Sequence, residues 1–267
     1  MTRALSPTPI PWLLRWQGLL AGGSSGPLVA RLPLIAGVIL CALMAGLPLV
    51  TREGLSLLIT ASGLVWVLWA LRTPPGRIGG LTGWMLAILA VMVLATGFSP
   101  VPVAAAKGLA KLVSYLGVYA LMRQLLALAP VWWNRIVAAL LAGSLASSVI
   151  AIRQLYGDTG ELARWADPNS VADGTIRVYG PLENPNLLAG YLIPILPIAL
   201  VALLRWRSWP QRLFAGSALV LGAAALFLSY SRGGWLGMLA CLGAMVLLLV
   251  LRQRSSATRA IGRIGIR

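Results

Sequence analysis

Histidine is absent from the 267 residues, which removes the commonest general base and the commonest transition-metal ligand together and disfavours zinc and Ser-His-Asp chemistry. Cysteine is nearly absent. Cys41 and Cys241 both lie inside apolar runs, where a thiol behaves as a small hydrophobe, and two such residues build no disulfide framework. Acids are as scarce: six stand against 22 basic residues, and charge of either sign makes up only 10% of the chain. Asp158, Glu161, Asp167 and Asp173 lack the spacing of an EF-hand loop, so the sequence predicts no metal site and no cofactor.

Apolar residues fill the space that charge leaves. At 59% hydrophobic, a water-soluble domain would have too little polar surface to cover its core, and the natural solvent is a bilayer. The net charge of +16 does not predict a nucleic-acid partner, because the arginines punctuate apolar runs instead of gathering in a groove beside stacking aromatics. Crossing a hydrocarbon core of about 30 Å takes roughly 20 helical residues. Eight stretches meet that requirement: about Leu28 to Val50, Gly54 to Leu71, Ile78 to Gly97, Lys107 to Leu126, Trp132 to Ile152, Pro185 to Leu204, Leu213 to Tyr230, and Gly234 to Leu251. The sequence therefore predicts an all-α, polytopic transmembrane helix bundle forming one membrane domain over residues 28–251. A cytoplasmic leader over residues 1–27 precedes it and a basic cytoplasmic tail over 252–267 follows. The first span is too long for a cleavable signal core and reads as a signal anchor.

Basic residues set the orientation. With the amino terminus inside, Arg72 and Arg77, Arg123 and Arg135, Arg205, Arg207 and Arg212, and the arginines from Arg252 to Arg267 all fall on the cytoplasmic side, as the positive-inside rule requires of an N-in/C-in chain. Every acid then falls outside. Trp66, Trp69, Trp84, Trp132, Trp133, Trp206 and Trp209 collect at the predicted cytoplasmic ends, as an aromatic belt does. One connection, Arg153 to Asn184, is far longer than ordinary loops, and its Trp165, Ile176, Val178 and Tyr179 predict a partly ordered outer cap. Pro194 and Pro197 inside the sixth span predict a kink unless neighbouring groups satisfy the freed carbonyls.

Three places could carry function. Asn184 followed by Pro185 suits a helix start, the amide as cap and the proline at the first position; alternatively Asn184 and Asn186 present amides to a polar ligand at the membrane surface. Arg232, in the short turn Ser229-Tyr230-Ser231-Arg232-Gly233-Gly234-Trp235, either snorkels to the headgroups or clamps a phosphate or carboxylate through parallel hydrogen bonds. Lys107 and Lys111, spaced i, i+4, share one face of the fourth span. Lys111 lies a turn deeper, where a cation belongs against a cavity or partner, and either lysine could neutralise a diphosphate or a small anion.

The runs GPLENPNLLAGYL and SYSRGGWLG, within the longer WADPNSVADGTIRVYGPLENPNLLAGYLIP, resemble the O-antigen ligase and polymerase superfamily. The similarity is closest to its cyanobacterial branch, the inorganic carbon (bicarbonate) transporter family, and is strongest from about Asp158 to Gly237. The resemblance implies a site facing away from the cytosol, where glycans are transferred from polyprenyl-diphosphate carriers without metal or nucleotide sugar. It implies Arg232 as the catalytic cation, with Arg177 as a second position that no motif fixes; Lys107, Lys111, Asn184 and Asn186 complete the substrate-binding set. The cyanobacterial branch implies bicarbonate accumulation instead, in the plasma (inner) membrane or the thylakoid. Family members continue through further helices and place a functional histidine in a second outer loop. The expectation is accordingly an amino-terminal part of such a protein or a shortened, non-catalytic homologue, with membrane lipids and a lipid-linked glycan or a small anion as partners.

Overall fold

The computed structural model describes residues 27–72, 80–157 and 177–264, and all regular structure among them is helical. Eight α-helices follow one another: α1 (Pro27–Gly46), α2 (Arg52–Arg72), α3 (Gly80–Gly97), α4 (Pro102–Leu128), α5 (Trp132–Arg153), α6 (Pro185–Arg205), α7 (Trp209–Leu228) and α8 (Arg232–Ile264). Short 3-10 turns occupy Gln154–Tyr156 and Gly180–Leu182. Proline opens α4, α6 and α7 within their first two positions, where its fixed φ suits the helix and its missing N–H costs nothing. Arginine closes α2, α5 and α6, placing positive charge on the carbonyl end of the helix dipole.

The elements match the expected spans, with four shifts. α4 begins at Pro102, not Lys107, because the proline supplies a helix start. α1 stops at Gly46 instead of near Val50. α7 begins at Trp209, not Leu213, because Pro210 supplies a helix start. α8 runs on to Ile264, so most of the segment read as a basic tail is helical; apart from two glycines the stretch holds no breaker, and arginine, glutamine and alanine favour helix. The leader, Arg77, the acids Asp158, Glu161, Asp167 and Asp173, and Arg164, Trp165 and Ile176 lie outside the described residues.

Among the described residues, five segments, Arg52–Arg72, Trp132–Tyr156, Pro185–Arg205, Trp209–Leu228 and Arg232–Arg252, are long and apolar enough to cross a membrane, while Arg31–Gly46 and Leu81–Gly97 are shorter apolar helices. α4 is a long helix but not one of the five, since Lys107, Lys111, Arg123 and Gln124 dilute its apolar surface. Leu57, Val220 and Leu236 are 71%, 65% and 68% exposed. In water such rows of bare leucine and valine would make patches no monomer tolerates; in hydrocarbon they face their own kind. The protein is thus a multi-pass helical protein of membrane type.

The helices group into two compact units, Met1–Met44 with Val50–Ile136, and Ala45–Leu49 with Val137–Arg267. In the first, α2 and α3 pack on α4, and Leu32, Leu40, Trp69, Leu121, Leu125, Trp132 and Ile136 form the core. The Arg135 guanidinium lies 4.6 Å above the Trp132 ring, a cation–π contact that suits an arginine and a tryptophan sharing a helix end.

In the second unit α6 is the central element, packed on α7 and α8. Leu188, Leu192 and Leu196 meet Ala225 and Leu226, and Ala199 and Ala202 meet Ala215 and Ala218. Small residues on α7 let two backbones approach closely, which is how helices gain contact energy where lipid already matches leucine in polarity. α6 is a single helix from Pro185 to Arg205 with Pro194 and Pro197 inside it.

Candidate functional site

The polar groups of the second unit converge where α6 and α8 begin and α5 and α7 end. Asn184 caps α6. Its Oδ1 accepts the amides of Asn186 (2.8 Å) and Leu187 (3.4 Å), Pro185 follows at the first position, and such a cap is worth about 1 kcal/mol. Of the two readings of Asn184, the capping one describes its side-chain oxygen here.

Asn186 faces the neighbouring helix start. Its Oδ1 accepts from Ser231 Oγ at 2.9 Å and from Arg177 Nη2 at 3.3 Å, and because a guanidinium only donates, the oxygen and not the nitrogen must face it. Ser231 links two helices. While its hydroxyl donates to Asn186, the same oxygen accepts the Gly234 amide at 3.1 Å, so Ser231 is the N-cap of α8. Ser229 completes the turn, its Oγ donating to Leu226 O (2.7 Å) and accepting from Ser231 N (3.3 Å).

Arg177 ties the incoming segment to this turn. Its Nε donates to Ser229 O at 3.0 Å, and the amide of the next residue, Val178, donates to Leu228 O at 3.2 Å. Nε and Nη2 are thereby held, and among the described residues no other hydrogen bond of this guanidinium is made. Arg232 is exposed and, among the described residues, makes no hydrogen bond or ion pair. Beside it, a Cβ built on Gly233 would meet open space.

The segment leading into α6 is fixed from α5. Gln154 Oε1 accepts the amides of both Tyr179 and Gly180, each at 3.0 Å. Gly180 has φ +57° and a Cβ there would lie 3.1 Å from both Ser147 O and Ala151 Cβ, so conformation and space alike require glycine. Replacing Gln154 by leucine leaves two amides without acceptors and should cost about 2 kcal/mol locally; hydrogen exchange at Tyr179 and Gly180 should quicken about 30-fold, and unchanged exchange would refute this role.

Backbone strain collects at the same end. Among the described residues the non-glycine positive φ angles belong to Glu183 (57°) and Tyr230 (47°), conformations that cost of order 1–3 kcal/mol each and cluster at functional sites. Phe227 stacks on Trp235 with ring centroids 5.4 Å apart, and Tyr230 tilts against both at 6.2 Å, an aromatic edge suited to a membrane interface.

Of the residues singled out in the sequence, Arg177, Asn184, Asn186 and Arg232 belong to this end of the second unit, and the first three share one hydrogen-bonded cluster. Lys107 and Lys111 belong to α4 of the first unit, where both are exposed. Gln154, Ser229 and Ser231 carry the cluster without having been assigned roles from the sequence. Only Ser231 had a readable signal, a serine three residues ahead of an amide at a helix start. No family model matches the chain, and no curated protein and no solved structure matches it.

Proposed function

We propose that this protein binds the diphosphate of a lipid-linked glycan at the common end of α6 and α8 and serves glycan transfer or polymerisation there, on the side of the membrane away from the cytosol. The observation that carries the reading is the cluster of Arg177, Asn186, Ser229 and Ser231, beside which Arg232 stands at the start of α8 with no partner of its own among the described residues. A diphosphate brings acceptor oxygens and negative charge. Arg232 meets it with a guanidinium fork, the first amides of α8 add a positive helix end, and Arg177 adds its uncommitted donors. Stabilising the charge that grows on a departing diphosphate is then the main catalytic contribution.

The orientation follows from the arginines. Arg205, Arg207 and Arg212 lie at the opposite end of α6 and α7, which the positive-inside rule assigns to the cytosol, and the inner, plasma membrane is the setting in which a lipid-linked donor meets the outward-facing site. Bicarbonate would suit the same cations. A carrier reading would draw on a helix broken at Pro194 and Pro197, but α6 runs through both prolines as one helix.

The test is a titration of the full chain in lipid nanodiscs with polyprenyl diphosphate, with polyprenyl alcohol as the reference. Saturable binding that needs the diphosphate is expected, weakened about tenfold by Arg232→Ala, the effect of one charge-assisted contact. Equal binding of alcohol and diphosphate would remove the proposal. Competition by bicarbonate at comparable concentration would favour the transport reading.

A further inference from the structure

The end of α6 and α7 remote from the arginine cluster carries a second concentration of positive charge. Arg205 closes α6, Arg212 falls in the first turn of α7, and Arg207 lies in the short connection between the two helices. All three are exposed, and among the described residues none of their guanidinium groups makes a hydrogen bond or an ion pair. Glu183, the acid among the described residues of this unit, precedes the opposite end of α6, about 30 Å away along that helix. Three cations at one turn with no acid beside them favour an anion from outside the chain.

Beside this turn a groove of about 520 Å³ runs between α6 and α7. Trp209 and Arg212 line the part nearest the turn, and Leu213, Gly216 and Val220 of α7 with Leu203 of α6 continue it. Val220 is eight residues beyond Arg212, so the groove descends about 12 Å along α7, most of the depth of one hydrocarbon leaflet. Trp209, Leu213 and Val220 are exposed, which leaves it open to the bilayer. Glycine keeps the space. A Cβ on Gly216 would meet only Leu203 Cδ1, at 3.7 Å, so a larger side chain there has room to project into the groove. Trp206 stacks on Phe214 with ring centroids 6.5 Å apart and ties the basic connection to α7.

We infer that this groove seats an anionic phospholipid, its phosphate at Arg212 with Arg205 and Arg207 beside it, and one acyl chain along Leu213, Gly216 and Val220. Charge selects the head. A zwitterionic lipid brings an ammonium group into a turn that is already positive, whereas an anionic one brings phosphate without it, and a guanidinium takes phosphate through two parallel hydrogen bonds. Depth selects the rest, because a soluble phosphate would leave the apolar length of the groove unfilled. Trp209 marks the level of the headgroups. The positive-inside rule assigns this end to the cytosol, the leaflet in which anionic lipids meet basic pockets between spanning helices. The site shares no residue with the diphosphate cluster and stands whether or not that reading does.

The experiment places the full chain in phosphatidylcholine nanodiscs with a small fraction of phosphatidylglycerol or phosphatidylcholine carrying a photoreactive diazirine in one acyl chain, and maps crosslinks by peptide mass spectrometry. Labelling of α7 between Leu213 and Val220 should favour the phosphatidylglycerol probe about tenfold, and excess unlabelled phosphatidylglycerol should displace it. Arg212→Gln should lower that preference about fivefold, the effect of one basic residue at the membrane surface. Gly216→Phe, which fills the groove and keeps all three arginines, should lower phosphatidylglycerol labelling there by a similar factor. Leu249 is exposed on α8 close to Arg252, so labelling beside it measures loose attraction to basic helix ends; its constancy in both variants shows that they are folded. A preference on α7 no greater than that beside Leu249 would overturn the proposal. So would native labelling in Gly216→Phe, which would mean that the arginines gather anionic lipid without a seat, or an unchanged preference in Arg212→Gln.

Discussion

Arg177→Ala is expected to weaken polyprenyl-diphosphate binding about 100-fold or more, a larger loss than Arg232→Ala produces, because one side chain both contacts the ligand and assembles the site. Two of its bonds hold the protein itself: Nε to Ser229 O and Nη2 to Asn186 Oδ1. Removing them leaves a carbonyl and half of an amide acceptor unpaired, and hydrogen bonds to charged groups are worth about 1.5–3 kcal/mol each. Only a guanidinium can serve two acceptors and a ligand at once, so Arg177→Lys should recover no more than a tenth of the native affinity although it keeps the charge. Recovery to within threefold would show that Arg177 contributes charge alone and would dissolve the cluster as a designed site. Titration of both variants in nanodiscs, with hydrogen exchange at Val178 as a measure of local order, separates the two contributions.

The helices are legible in the sequence because membrane-length apolar runs bounded by arginine, glycine and proline leave the chain few alternatives. Ends are less legible. The stop of α1 at Gly46 and the extension of α8 to Ile264 depend on local competition among nearly equal helix formers, which no hydropathy pattern resolves. α4 shows the limit of that pattern in another way: it forms as a helix although its lysines and Gln124 leave it outside the membrane-length set.

The site is legible only where its logic is local. Asn184-Pro185 announces a helix start, and Ser-Arg-Gly-Gly announces a cap followed by a close approach. Arg177 has no such signature, because the oxygen it binds belongs to a residue 52 positions away, and Gln154 reaches backbone amides 25 and 26 positions on. Lys107 and Lys111 lie in the first unit, apart from the cluster of the second. Their spacing fixes a shared face of α4, but spacing alone does not say what that face meets, and both are exposed.

Adjacent glycines at the start of α8 should respond to substitution with opposite signs. A Cβ on Gly234 would lie 2.6 Å from Ala189 Cβ and 3.2 Å from Ser231 Oγ, so Gly234→Val must push α8 away from α6 at a cost of about 3 kcal/mol or more. A Cβ on Gly233 meets nothing within 4 Å, and Gly233→Ala should instead stabilise the helix by up to about 1 kcal/mol. Unfolding in mixed micelles of rising dodecyl sulfate content measures both. The functional consequence is sharper than the loss of stability. Ser231, Asn186 and Arg177 form a chain of bonds between the starts of α6 and α8, and a displacement of even an ångström at Gly234 lengthens the 2.9 Å link from Ser231 to Asn186 beyond hydrogen-bonding range. Gly234→Val should therefore abolish diphosphate binding even in micelles mild enough to leave the chain folded, whereas Gly233→Ala should retain it. Retained binding in a folded Gly234→Val chain would mean that the ligand does not need α6 and α8 in register, and the cluster would then be a packing device with no part in recognition.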